Sequence, residues 1–95
     1  MEIKILRDEK NELKLGLDNL TIAEILRSYL NQDESVSFAA WRREHPSKGP
    51  ILDIKTEGKT AKKALQDAVS KIEKDTEKIL AEFKKAKKSL SGMFD

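Results

Sequence analysis

Apolar residues recur every third or fourth position over the last third of the chain, which predicts one long helix from Thr60 to Leu90. No proline or glycine interrupts it, and Thr60 offers a hydroxyl for the N-cap. At 1.5 Å per residue this helix would reach roughly 45 Å, whereas a compact chain of this size has a radius of gyration of about 12 Å. We therefore expect the helix to extend beyond its own domain and to pack on a second molecule. Its apolar line is Leu65, Val69, Ile72, Thr76, Ile79, Phe83, Ala86 and Leu90.

The two halves of this predicted helix differ in width. The first turns add Ala61, Ala64 and Ala68, a broad stripe of small residues that favours close packing on the chain's own sheet. Beyond Asp75 the line narrows to a seam, which favours contact with a partner.

Alternating apolar and polar residues predict two strands near the N-terminus, around Ile3 to Ile5 and Leu13 to Leu17, with a polar turn that makes them a hairpin. The spacing of Thr21 and Glu24 then predicts a capping box at the start of a helix. That helix presents its apolar face at Ile22, Ile25, Leu26, Tyr29 and Leu30.

From Val36 onwards the side chains again alternate between two faces, as they do in a strand. Val36, Phe38 and Ala40 are predicted on one face of a third strand, with Ala39 and Trp41 on the other. A turn rich in proline and glycine separates it from a fourth strand over 51–57. The order is therefore ββαββα, an α+β fold in which a four-stranded sheet carries two helices on one face. We expect residues 1–90 to form a single domain and residues 91–95 to fray.

Composition narrows the classes of function. The chain has 95 residues, 38% of them charged, with a net charge of +2 and no cysteine. One core of this size leaves little room for a substrate cavity, and the small net charge does not point to nucleic acid. The first residues carry charge throughout and do not look like a signal peptide, nor does any apolar run reach membrane-spanning length. We expect a cytoplasmic protein that makes no membrane contact.

Candidate catalytic and ligand motifs are weak. Gly58-Lys59-Thr60 stands between a strand and a helix, but a phosphate loop would need a glycine where Asp53 lies within the strand. His45 is the single histidine and is followed by Pro46, which favours a structural turn. Carboxylates do not cluster on an apolar background. We therefore expect no catalytic residues, no cofactor and no metal in this chain.

Two alternative functions stay open at the level of residues. Trp41 could stack on a base beside Arg42 and Arg43, with a lysine-rich segment at 84–88 adding charge, as in a small RNA-binding module. The long helix could also pair with its own copy, although Thr76 in the seam weakens a coiled coil.

The chain also resembles a known family over residues 1 to about 90. The resemblance rests on the opening Met1 to Leu6, the helix start Asp18 to Leu26, the strand Val36 to Trp41 followed by His45-Pro46, and Ile54 to Gly58 leading to Ala64-Leu65. These segments are similar to the L subunit of archaeal RNA polymerase, which is related to the smaller eukaryotic assembly-pair subunit and to the dimerising domain of the bacterial α subunit. The helix start departs from the family pattern, because Thr21 is kept while the usual histidine, glycine and asparagine are replaced.

The resemblance implies an assembly subunit that takes no part in the chemistry. Such proteins pair with a larger D-type subunit through the helices of both partners, and the heterodimer is the platform for the large catalytic subunits. Sequence-specific contact with nucleic acid is not expected. The implied interface residues are Ile25, Leu26, Tyr29, Leu65, Val69, Ile72, Ile79, Phe83 and Leu90.

Overall fold

A computed structural model of the chain describes residues 3–45 and 47–75. Its elements confirm the order ββαββα. They are β1 (Ile3–Glu9), β2 (Glu12–Leu17), α1 (Leu20–Leu30), β3 (Val36–Arg42), β4 (Ile51–Thr56) and α2 (Ala61–Asp75). The predicted helix beyond Asp75 lies outside the described residues, as do Ile79, Phe83, Leu90 and the tail at 91–95. Neither described helix is long and apolar enough to cross a membrane.

The four strands form one antiparallel sheet in the order β1-β2-β4-β3. The β1-β2 hairpin predicted from the alternation is confirmed. Both helices pack on the same face of the sheet, α2 against β2 and β4, and α1 against β3 and β4. Between the layers lies an aliphatic core, and the small side chains of Ala61, Ala64 and Ala68 are buried in it as the pattern predicts.

Each edge strand of the sheet carries a bulge. In β1, Ile5 pairs with Leu15 and Arg7 with Lys14, so Leu6 is an extra residue. In β3 the register shifts between Val36 and Phe38. The prediction that Val36 and Phe38 share a face is therefore wrong, since Val36 packs against the core while Phe38 points away from the helices.

The start of α1 also differs from the prediction. The N-cap is Asn19, whose Oδ1 accepts a hydrogen bond from the backbone N–H of Ile22 at 3.2 Å. The predicted capping box of Thr21 and Glu24 is therefore wrong, because α1 begins one residue before Thr21 and the side chain of Asn19 caps it. At α2 the prediction is confirmed, since Thr60 Oγ1 accepts from the N–H of Lys63 at 3.2 Å.

Candidate functional site

The two helices present one broad surface on the side away from the sheet. Six of the predicted interface residues are described, and four of them (Leu26, Leu65, Val69 and Ile72) are buried in the chain's own core. Ile25 and Tyr29 are half-buried and pack on the edge of that core. They are the predicted residues in this region that still expose apolar area to another molecule.

Tyr29 lies where α1 meets α2. Burial raises the pKa of its phenol, and the negative charge of the Asp75 carboxylate adds to the rise. Beside it, Lys71 Nζ of α2 donates to Gln32 Oε1, just after the end of α1, at 2.7 Å. A small cavity of about 190 Å³ lies here, bordered by Tyr29 and Ala68. The helical surface therefore has an apolar centre and a polar edge, as protein interfaces usually do.

An ion cluster fixes the turn before α2 to the end of α1. Lys59 Nζ lies 2.7 Å from Asp33 Oδ2 and 2.8 Å from Asp67 Oδ2. The lysine ammonium lowers the pKa of both carboxyls, and the carboxylates raise the pKa of Lys59. Because its ammonium is held between two acids, Lys59 has no role as a phosphate ligand after Gly58.

A second polar cluster joins α1 to β3. Glu24 accepts hydrogen bonds from Arg27 and from the indole N–H of Trp41, the latter at 2.7 Å. The Arg27 guanidinium, followed by the Trp41 indole, lowers the pKa of Glu24 to about 2. Trp41 is also packed against the core. Its ring is therefore committed to the protein, which weakens the RNA-binding alternative because stacking on a base needs an open aromatic face.

The sheet face away from the helices carries mixed charge. Arg7 Nη1 lies 2.7 Å from Glu12 Oε1, Lys55 Nζ lies 3.8 Å from Glu12 Oε2, and the same ammonium stands 5.5 Å from the centre of the Phe38 ring. Positive and negative side chains alternate across this face, so it lacks the uniformly positive character of a nucleic-acid surface.

His45 is exposed in the loop after β3, where its carbonyl accepts from the N–H of Lys48. Among residues 3–45 and 47–75, His, Asp and Glu side chains form no group of three that could hold a metal ion. The helical surface is therefore the strongest candidate site within that part of the chain.

Comparison with known proteins decides the family. Residues 10–82 match the family model described as the RNA polymerase Rpb3/Rpb11 dimerisation domain. The chain belongs to this family. The matched residues include both described helices and three of the four strands.

Relatives within the Rpb3/Rpb11 family align over nearly the whole chain. DNA-directed RNA polymerase subunit Rpo11 of Sulfurisphaera tokodaii is 39% identical over 92 residues, which cover 93% of this chain and 99% of the relative. Rpo11 of Thermococcus kodakarensis is 35% identical over 92 residues, with 90% and 98% covered. The resemblance seen in the sequence is thereby confirmed.

A solved structure supports the fold assigned to this member of the Rpb3/Rpb11 family. The crystal structure of DNA-directed RNA polymerase subunit L from Thermoplasma acidophilum matches with a TM-score of 0.71 over 96% of this chain and 93% of that chain, at 20% identity.

Several contacts of the site leave no signal in the local spacing of residues. The Lys59 cluster joins residues 26 and 8 positions apart, and the contact of Glu24 with Trp41 joins a helix to a strand. Local spacing carries no sign of either. The pair of Glu24 and Arg27, three apart on one helix, was open to prediction.

Proposed function

We propose that this chain is the Rpo11-type assembly subunit of a DNA-directed RNA polymerase and that its helical surface binds a D-type subunit. The observation that carries the proposal is the match of residues 10–82 to a dimerisation domain of RNA polymerase subunits. The resulting heterodimer would be the platform on which the large catalytic subunits assemble. Such a protein acts where the polymerase acts, so we place it in the cytoplasm.

The geometry supports the helical surface as the site of pairing. Ile25 and Tyr29 keep apolar area exposed on top of a rigid core, so a partner can bury them at little ordering cost. Leu26, Leu65, Val69 and Ile72 would support that surface from beneath by holding the two helices together. Ile79, Phe83 and Leu90 would continue the contact along the seam predicted from the sequence.

The decisive experiment is a binding titration between this chain and the D-type subunit of the same organism. Ile25→Asp places a charge at the centre of the proposed contact, and we expect at least a tenfold rise in Kd, since a buried apolar side chain is worth about 1.5 to 3 kcal/mol. Phe83→Asp should have the same effect on the seam. Circular dichroism checks that each variant keeps its sheet.

Arg43→Asp is the matched control. It introduces the same aspartate at an exposed position outside both helices, so it should leave binding to the D-type subunit within twofold. An RNA-binding module would instead lose RNA through this change and show a steep salt dependence. Normal pairing by Ile25→Asp, or a wild-type chain that forms a stable homo-oligomer and ignores the D-type subunit, would contradict the proposal.

A further inference from the structure

A second surface, separate from the helices, lies at one end of the open sheet face. Glu44, Lys48 and Gly49 from the segment after β3 line a cavity of about 430 Å³ together with residues of β1, β2 and β4. Its apolar lining includes Leu6 on one wall and Gly16 and Ile51 on the floor. Its rim carries charged side chains of both signs, namely Lys4, Lys48, Asp18 and Glu44.

The bulge in β1 builds one wall of this pocket. Leu6 is the extra residue between two regular pairs of the hairpin, and its Cδ1 lies 3.7 Å from the position that a Cβ of Gly16 would take. Even so, 52% of Leu6 is exposed. A bulge that turns a leucine over a glycine and leaves it half in water is a costly arrangement for the isolated chain.

Gly16 is not required by the fold. It lies inside β2 between the buried Leu15 and Leu17, and glycine weakens a strand interior. Its φ is outside the left-handed region, and an added Cβ would meet Leu6 and Lys4 at ordinary contact distances of 3.7 Å. A methyl group at this position would therefore fit the chain's own packing. The missing side chain serves to keep the floor of the pocket open.

We propose that this pocket receives a large apolar side chain from an extended segment of a large polymerase subunit; this rests on the proposed function. A glycine floor allows another backbone to come close. Two positive and two negative side chains on the rim match a polypeptide of mixed charge and do not match a phosphate backbone. The pocket lies on the sheet face opposite the helices, so a chain that pairs through its helices can use it at the same time, as a platform must.

The test fills the pocket without touching the helices. Gly16→Ile places a β-branched side chain on the floor, and Lys55→Ile places the same side chain on the same sheet face outside the pocket. Each variant is combined with the D-type subunit, and binding of that heterodimer to the purified large subunits is titrated. We expect Gly16→Ile to bind the D-type subunit normally and to lose at least tenfold in affinity for the large subunits. Lys55→Ile should stay within twofold, and thermal unfolding should show Gly16→Ile at least as stable as wild type.

Two further variants guard against misfolding. Gly16→Ala adds a single methyl with ordinary contacts and should weaken binding about threefold, and Leu6→Ser removes the wall and should weaken it about tenfold.

Normal binding of the large subunits by Gly16→Ile would overturn the pocket alone. Loss of the D-type subunit by the same variant would also overturn it, because the two surfaces would then not be separate. A wild-type chain that binds neither the D-type subunit nor the large subunits would overturn the proposed function and this pocket with it.

Discussion

The two faces of the sheet are made from the same strands yet differ in almost every physical property. On β2, Leu13, Leu15 and Leu17 face the helices and are buried, while Lys14 and Gly16 alternate with them and face outward. The inner face is a continuous aliphatic layer, and the outer face is a set of partly exposed ion pairs around small apolar areas. Stability therefore comes mainly from the face that the helices cover.

The largest effect should follow from breaking the inner layer. Leu15→Ala removes a side chain with no exposed area, and we expect a loss of about 2 to 5 kcal/mol in the free energy of unfolding, since the cavity closes only in part. Lys14→Ala, one residue away and on the outer face, should change it by less than about 0.5 kcal/mol. Urea unfolding of both variants measures the contrast, and equal losses would refute it.

The end of the core is also stabilised by close backbone packing between the loop at Gly49 and the end of β2. A Cβ on Gly49 would lie 1.9 Å from the carbonyl oxygen of Leu17, next to the hydrogen bond in which Leu17 N–H donates to Pro50 O at 2.9 Å. Gly49→Ala must push the loop away from β2, and we expect a loss of about 1 to 3 kcal/mol. Gly16→Ala, which meets ordinary contacts, is the control, and a normal unfolding midpoint for Gly49→Ala would contradict this packing.

The ion cluster on the helical side should matter less than the core. Lys59→Met keeps an unbranched apolar stem of similar size and leaves Asp33 and Asp67 without their shared cation. For a partly exposed cluster we expect a loss of about 1 to 2 kcal/mol at neutral pH. The measurement is thermal unfolding at low and high salt, and an effect that disappears in high salt would show that the cluster acts as an ordinary surface pair.

The smallest effect concerns Glu24. Its pKa in the folded chain is about 2, below the ordinary value of 4.5, so the contribution is fully present above the unfolded pKa and is lost as pH falls through the folded one. Glu24→Gln should therefore be less stable than wild type at neutral pH, and the difference should shrink between about pH 4.5 and pH 2. Trp41 fluorescence follows the unfolding of both proteins at each pH. A stability difference that does not change with pH would contradict the lowered pKa of Glu24.

The inner face and the outer face were not equally predictable. Strict alternation at Leu13, Leu15 and Leu17 indicated the strand and its buried side, because one wrong step would expose all three. The stripe of Ala61, Ala64 and Ala68 likewise indicated the part of α2 that lies on the sheet. These patterns are local, and the physical rule that links them to burial is strong.

Other features left no local trace. A bulge adds one residue without changing the run of apolar and polar letters, so the faces of Val36 and Phe38 were assigned wrongly. Asn19 and Thr21 are both good caps, and the contact geometry decides between them. Helical spacing marked Leu26, Leu65, Val69 and Ile72 as apolar, but it does not say whether the chain's own sheet or a partner covers them. The open floor at Gly16 depends on the pairing of β1 with β2, which local spacing does not give.

The bulges in the two edge strands also matter for the chain before it assembles with its partners. A subunit made in excess of its partners waits in the cell with two sheet edges in water, and a flat edge is a template for joining another copy strand to strand. Here both edges are kinked, β1 at Leu6 and β3 between Val36 and Phe38, and β1 carries Lys4, Arg7, Asp8 and Glu9 along its length. We therefore expect these bulges, which the pattern of residues does not reveal, to hinder aggregation of the unassembled chain.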